Sequence, residues 1–217
     1  MHYIDKFLME QKYFNYNLKA HLSIDDYFIG DSNKNSYDHL INNNFSKNFF
    51  LNGPSKSGKS HLGLIWKKKF HAMSYNNNLN QILDNKLNVL VDNFFINTNE
   101  EDIFHIINHC NLNNLNILII SKVALFDYVF KLEDLSSRLK TFINIKINLP
   151  DDQLLMNLMI KLFNDKQIII KNPEIFNYII KRVDRSYEKV FILINKIDKL
   201  LFEKNKQLTI PLIKELI

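Results

Sequence analysis

The pattern of hydrophobic positions changes at Pro150. Before it, continuous apolar runs at 49–51, 88–92 and 116–121 predict strands buried on both faces, and 71–75 predicts a further short strand. The stretch 142–147 alternates Phe and Ile with Asn and Lys, as a half-covered edge strand does. Helical spacing separates these runs, so this part of the chain is predicted to be α/β with a parallel sheet.

The line before the first strand offers a turn at Gly30 and two cap candidates, Ser32 and Asn33, for a helix whose apolar positions reach Phe45. Beyond Pro150 the pattern is wholly helical. The helices predicted there carry their apolar positions within 154–163, within 175–183, within 187–201 and after Thr209. Asp151 and Asp152 are the cap candidates for the first of them, and Pro211 falls in the first turn of the last. We therefore expect three parts: a tail (1–19), an α/β domain (20–149) and a small helical lid (150–217).

Three of the four glycines fall within 49–66. Their spacing with Lys59 and Ser60, Gly-x-x-x-x-Gly-Lys-Ser, is that of a phosphate-binding P-loop placed between a strand and a helix. Lys59 would reach the β/γ-phosphates and Ser60 would face magnesium. A chance glycine-rich turn is the alternative, and the scarcity of glycine elsewhere weighs against it. The predicted nucleotide-binding residues of this stretch are Gly53, Pro54, Ser55, Lys56, Ser57, Gly58, Lys59, Ser60 and His61.

Composition narrows the function only slightly. The net charge of +5 is compatible with nucleic-acid binding without requiring it. The lone cysteine, Cys110, excludes an intramolecular disulfide and is expected to be a small buried filler. His105 and His109 have helical i, i+4 spacing, but a solvated helix face is favoured over a metal site. No apolar run is long enough to span a membrane, and no uninterrupted signal-peptide core is present, so a cytoplasmic protein is expected.

Several motifs together resemble the AAA+ module of the DnaA family of bacterial replication initiators. They are the P-loop, the preceding line DYFIGDSN, the LSSRL box at 135–139 and the ending that runs from KRVDRSYEKV to TIPLIKEL. The resemblance covers about residues 11–217 and is greatest for short DnaA-related regulators that switch the initiator off. It implies a P-loop AAA+ parallel-sheet core with a small C-terminal helical lid. DnaA continues past its lid into a DNA-reading domain and this sequence stops at Ile217, so sequence-specific DNA binding is not expected.

The resemblance also implies the parts of a nucleotide site. Ile29 and Gly30 are expected to join the P-loop in binding ADP or ATP. Asp92 matches the Walker B acid that holds magnesium through water together with Ser60, although a strand-end surface acid is the alternative. Ser121 falls at the sensor-1 position and is a weak polar reader of the phosphates.

Two positions depart from the family pattern. Asn93 replaces an acid suited to orienting the attacking water, and an amide cannot accept a proton as a carboxylate can. Glu188 stands at the position of the sensor-2 arginine and would repel a γ-phosphate, although Arg185 or Lys189 could substitute for it. We therefore expect feeble hydrolysis at the protein's own site and better tolerance of ADP than of ATP.

One catalytic group remains. Arg138 matches the family's arginine finger, which acts in trans on nucleotide held by a neighbouring subunit. Such a guanidinium is worth about 10³–10⁵ in rate in phosphoryl-transfer systems. The alternative for Arg138 is a surface salt bridge with Glu133 or Asp134.

The tail carries a loose version of a sliding-clamp-binding peptide at 11–16. Gln11 would bind at the rim of the clamp's pocket, and Phe14 and Tyr16 would enter it. A disordered tail or a self-packing strand are the alternatives.

The function these expectations describe is regulatory. The protein would bind adenine nucleotide, dock on the DNA-loaded clamp and stimulate hydrolysis of ATP bound to DnaA, which converts the initiator to its inactive form. Two rivals are an autonomous AAA+ ATPase that loads helicase or remodels DNA, and a small-molecule P-loop kinase. Self-association into a homo-oligomer is left open.

Overall fold

In a computed structural model that describes residues 26–42, 48–95, 98–204 and 207–217, the chain forms a five-stranded parallel sheet. Its order is β2-β3-β4-β1-β5. The strands are β1 (Phe49–Asn52), β2 (Met73–Ser74), β3 (Val89–Phe94), β4 (Ile117–Ser121) and β5 (Ile143–Lys146). The predicted parallel sheet is confirmed, and the alternating stretch lies at its edge as β5. The proposed clamp residues Gln11, Phe14 and Tyr16 lie outside the described residues.

The helices of the described ranges follow the chain order. They are α1 (Asp31–Tyr37), α2 (Lys59–Lys69), α3 (Leu79–Leu83), α4 (Glu100–Leu112), α5 (Glu133–Leu139), α6 (Asp152–Asp165), α7 (Glu174–Ile180), α8 (Tyr187–Lys204) and α9 (Ile210–Lys214). A π-helical turn, Asp38–Asn42, extends α1, and a 3₁₀ turn, Leu125–Asp127, follows β4. The pattern did not predict α3 and α5, because five and seven residues are too few to establish a helical period.

Local capping explains where several helices begin. As predicted, Asp151 caps α6, where it accepts from the backbone N–H of Leu154, and the last helix begins after Thr209. Thr209 is also the N-cap of that helix, α9. The start of α1 differs from the prediction, because its N-cap is Gly30 and Ser32 lies inside the helix. Asn33, three positions after the cap, accepts from the Gly30 N–H at 2.8 Å and so completes a capping box.

Both faces of the sheet are covered, which accounts for the continuous apolar runs. On one face Phe50, Val91 and Ile119 belong to a buried cluster that includes α4 and α5 residues and Cys110, the predicted buried filler. The opposite face packs Leu51 and Ile120 against α1 and α2.

A third buried cluster lies within α6 to α9 and includes Phe163, Ile179 and Ile194. This lid contacts the sheet domain through the segment ahead of β1. A Cβ atom built on Gly30 would lie 3.2 Å from Leu154 Cβ, and the hydroxyls of Ser32 and Tyr187 are 3.1 Å apart. The two units therefore meet directly beside the loop that follows β1.

Candidate nucleotide-binding site

The loop between β1 and α2 has the backbone form of a P-loop. Gly58 is the N-cap of α2 and adopts a left-handed conformation with φ of +83° that favours glycine. A side chain at Gly53 would meet the Ile147 carbonyl oxygen at 2.9 Å. Because both glycines are required by geometry, their spacing in the sequence has a physical cause. The loop leads directly into the N-terminus of an eleven-residue helix, where backbone N–H groups favour an anion.

Lys59 points back into this loop. Its Nζ donates to the carbonyl oxygens of Gly53 at 2.9 Å and Pro54 at 2.6 Å, and it lies 3.4 Å from Ser57 Oγ. Burial holds the pKa of Lys59 below its ordinary value, while the nearby Asp92 carboxylate raises it. The loop thus contains a partly desolvated cation whose charge is incompletely balanced, which suits it to a phosphate.

The predicted magnesium residues lie at the same end of the sheet. Asp92 is half-buried in β3, and Ser60 is exposed in the first turn of α2. No cluster of three His, Cys, Asp or Glu occurs among the described residues. One hydroxyl and one carboxylate fit a magnesium ion that takes its remaining ligands from phosphates and water.

Asn93 and Ser121, two polar residues near this end of the sheet, each take part in a local hydrogen bond. Asn93 is exposed, has a positive φ of 57°, and donates its backbone N–H to Asp92 Oδ1 at 2.8 Å. At the sensor-1 position, Ser121 is buried and its Oγ accepts from the Val123 N–H at 3.0 Å. That hydroxyl therefore supports the turn after β4.

An apolar cavity of about 190 Å³ opens beside the loop, between the sheet domain and the lid. Residues 26–28 form one wall, and Lys56, Ser57 and Gly58 of the loop form another. The lid closes it with α6 and α8 side chains that include Leu158, Lys161 and Phe191. Lys161 donates to the Asp26 carbonyl oxygen at 3.1 Å, and Lys56 Nζ lies 5.4 Å from the centre of the Phe191 ring. These two contacts link the lid to the sheet domain at the edges of the cavity.

The line ahead of the loop is arranged differently from expectation. Ile29 is 47% exposed, and neither Ile29 nor Gly30 lines the cavity. The Asn33 side chain hydrogen-bonds to the backbone on both sides of Ile29. Its Nδ2 donates to the Phe28 carbonyl oxygen at 2.8 Å, and its Oδ1 accepts from the Gly30 N–H. A role for Ile29 and Gly30 in binding nucleotide stays a prediction.

The lid places no cation from the sensor-2 region in this cavity. Glu188 is exposed at the start of α8. Arg185 pairs with Asp152 through Nε at 3.0 Å, and Lys189 pairs with Asp184. The idea that Arg185 or Lys189 substitutes for the missing arginine therefore finds no support, because both pair with acids of the lid and neither lines the cavity.

Arg138 lies on α5 and does not line the cavity beside the P-loop. Its guanidinium carbon is 4.8 Å from the centre of the Phe104 ring on α4, a cation–π contact. Among the ion pairs found within the described ranges none includes Arg138, so the expected alternative of a salt bridge with Glu133 or Asp134 is not formed. The half-buried arginine is held by an aromatic ring instead.

The loop ahead of α5 is fixed as well. Glu100 accepts from the backbone N–H groups of Lys131 at 3.0 Å and Leu132 at 2.9 Å, and from the Tyr128 hydroxyl at 3.2 Å. The Tyr128 ring stacks on Phe95 at 3.6 Å. These contacts position the start of the helix that carries Arg138.

The structure thus brings the P-loop residues, Ser60 and Asp92 to one end of the sheet, whereas Arg138 lies on α5 and does not line the cavity. Sequence reasoning missed the lid side of the cavity. Tyr187 and Phe191, with helical i, i+4 spacing, were interpreted only as lid packing, and Tyr27 was not singled out. Nothing in the local sequence distinguishes these aromatic residues from core positions.

A P-loop at the end of a parallel sheet, with a helical lid beside it, is the arrangement of the AAA+ fold. Comparison with solved structures agrees. The chain is similar to domain III of the Thermotoga maritima replication initiation protein DnaA, with a TM-score of 0.72 at 16% identity over 90% of this chain and 95% of that one.

Two further solved structures are similar. AMPPCP-bound DnaA from Aquifex aeolicus matches with a TM-score of 0.66 at 17% identity, over 85% of this chain and 67% of that one. A protein described as a DNA replication initiation factor matches with a TM-score of 0.70 at 16% identity. This match covers 85% of this chain and 65% of that protein's chain. No curated protein sequence matches.

The lid identifies the chain further. Residues 160–217 match the family model described as "Hda, lid domain". This part of the chain is therefore similar to the Hda lid, and the chain as a whole shares the fold of DnaA domain III. No helix in the described part of the chain is both long and apolar enough to cross a membrane.

Proposed function

We propose that this protein is a regulator of replication initiation that binds an adenine nucleotide and stimulates hydrolysis of ATP held by DnaA. The observation that carries the proposal is that Lys59 and Arg138, the two cations expected to act on phosphates, have different surroundings. Lys59 lies in the P-loop, whereas Arg138 lies on α5, outside the cavity lining, in contact with Phe104. One cation serves the protein's own nucleotide and the other is available to a partner.

Nucleotide binding rests on the loop and the cavity together. Phosphates would bind to the backbone N–H groups at the start of α2 and to Lys59, with magnesium between them, Ser60 and Asp92. The nucleoside would enter the apolar cavity closed by Leu158 and Phe191. The Aquifex aeolicus DnaA structure, similar in fold, is bound to AMPPCP.

Weak hydrolysis at this site follows from what surrounds it. The exposed amide of Asn93 cannot act as a general base, and Glu188 stands at the position where the family pattern has an arginine that would stabilise the γ-phosphate. Arg185 is held by Asp152. The site is therefore expected to retain ADP rather than turn over ATP.

The catalytic contribution would be made in trans. In a complex with ATP-bound DnaA, the Arg138 guanidinium would contact the transferring phosphoryl group and neutralise its developing charge. Phe104 limits the directions in which the side chain can extend. DnaA would then remain with ADP, its inactive form.

Docking on the sliding clamp is the second half of the proposal. Gln11, Phe14 and Tyr16 would tether the regulator to DNA-loaded clamp, where it would meet DnaA. Burying two aromatic side chains contributes about 1.5–3 kcal/mol each before ordering costs. A Phe14→Ala, Tyr16→Ala double variant should lose clamp binding in a pull-down, and retention at the wild-type level would exclude this peptide.

Measuring ATP turnover tests the whole function. The purified chain alone should show little turnover, and its addition to ATP-loaded DnaA with DNA-loaded clamp should accelerate DnaA's hydrolysis. Robust turnover without DnaA would favour the autonomous ATPase instead. Phosphorylation of a small molecule would favour the kinase.

A further inference from the structure

The cavity beside the P-loop contains a buried hydroxyl without a partner. Tyr27 lines the cavity, and its hydroxyl oxygen is excluded from solvent. The Asn33 amide lies near this oxygen, but no hydrogen bond of ordinary length and angle joins the two. An unpaired buried polar group destabilises the folded protein, so such groups are rare unless something outside the chain completes them.

The Tyr27 ring is held in place on several sides. It stacks on Tyr37 at 5.9 Å between ring centres and meets His61 of α2 edge-on at 5.3 Å. A Cβ atom built on Gly58 would lie 3.2 Å from the ring and 3.9 Å from the hydroxyl oxygen. The hydroxyl is therefore fixed beside the last glycine of the P-loop and cannot swing out to water.

The neighbouring polar groups are already engaged. The Tyr187 hydroxyl pairs with Ser32 at 3.1 Å and donates to the Asn148 carbonyl at 3.3 Å. The Asn33 amide bonds to the backbone of Phe28 and Gly30. Burial raises the pKa of Tyr27, so the phenol stays protonated at neutral pH and can donate.

We propose that the Tyr27 hydroxyl is a ligand-binding group that hydrogen-bonds the nucleoside part of the nucleotide, at the ribose or the base. This inference rests on the proposed nucleotide site. The apolar cavity between Leu158 and Phe191 holds the nucleoside, while Lys59 and the loop take the phosphates. Binding then satisfies a group that is unpaired in the empty protein.

The test is isothermal titration of wild type, Tyr27→Phe and Tyr37→Phe with ADP and with 2′,3′-dideoxy-ADP, alongside thermal unfolding of each empty protein. Tyr37→Phe is the matched control, because Tyr37 stacks on Tyr27 but does not line the cavity. Tyr27→Phe should bind ADP about threefold to tenfold more weakly, the effect of one neutral hydrogen bond, and should unfold at the same or a higher temperature when empty. Tyr37→Phe should bind as wild type does.

The dideoxy nucleotide separates the two sources of the hydrogen bond. Loss of the difference between wild type and Tyr27→Phe with dideoxy-ADP assigns the partner to the ribose, and persistence of the difference assigns it to the base. Wild-type ADP affinity in Tyr27→Phe, or an equal loss in the Tyr37→Phe control, overturns the inference. Failure of the wild-type protein to bind ADP would instead overturn the proposed nucleotide site.

Discussion

Replacing Lys59 by methionine should separate the function of this lysine from the stability of the loop. In the empty protein its Nζ bonds to the carbonyl oxygens of Gly53 and Pro54, and each bond to a charged donor contributes about 1.5–3 kcal/mol. Burial opposes this gain and holds the pKa of Lys59 below its ordinary value. Because the two effects offset each other, the free energy of unfolding of Lys59→Met should lie within about 1 kcal/mol of wild type, a shift of about 2–4 °C in the unfolding midpoint.

Nucleotide binding should respond very differently. Removing one partner of a hydrogen-bonded charge pair costs about 2–5 kcal/mol, which is about 30-fold to several-thousand-fold in the dissociation constant. Calorimetric titration with ADP measures this loss, and thermal unfolding of the empty protein measures stability. Lys67→Met is the matched control, because Lys67 lies on the same helix and donates to Ser74 Oγ at 2.8 Å outside the loop. Wild-type ADP affinity in Lys59→Met would refute the P-loop assignment. An unfolding midpoint lowered by well over 4 °C would show that Lys59 mainly stabilises the fold of the loop.

Two further outcomes are expected. ADP affinity should weaken as pH rises through the lowered pKa of Lys59, because binding then requires uptake of a proton. Titrations across this range should show no such slope in Lys59→Met. Phe104→Leu should reduce stimulation of DnaA-bound ATP hydrolysis about twofold to thirtyfold, because a cation–π contact worth about 0.5–2 kcal/mol no longer orients Arg138. Phe104→Tyr, which keeps the aromatic ring, should retain activity. Wild-type activity of Phe104→Leu in a single-turnover assay would exclude this role of Phe104.

Much of the fold could be predicted because its elements carry strong local signals. The buried strands are continuous apolar runs, and the P-loop glycines are required by the left-handed backbone at Gly58 and by the close approach of Ile147 to Gly53. The short helices α3 and α5 escaped prediction because they contain barely one or two helical turns. Their stability depends on packing against α4, which a local pattern does not encode.

The candidate site likewise has a part that could be predicted from the sequence and a part that could not. Its phosphate end is contiguous in sequence and was predicted. The cavity joins residues 26–28 to α6 and α8, more than a hundred positions away, so only the folded lid creates it. The contact between Arg138 and Phe104 is similarly long-range, and a charged neighbour in sequence such as Glu133 suggested an ion pair that the fold does not form.

The central claim is that Arg138 acts on nucleotide held by a partner. A single-turnover assay of ATP-loaded DnaA with DNA-loaded clamp, comparing wild type, Arg138→Ala and Arg138→Lys, tests it most directly. We expect Arg138→Ala to fold normally and to keep its own ADP affinity but to lose stimulation of DnaA-bound ATP hydrolysis. Arg138→Lys should rescue it poorly, because a point charge lacks the planar fork that engages two phosphate oxygens. Full stimulation by Arg138→Ala would contradict the proposal that Arg138 acts on the nucleotide held by DnaA.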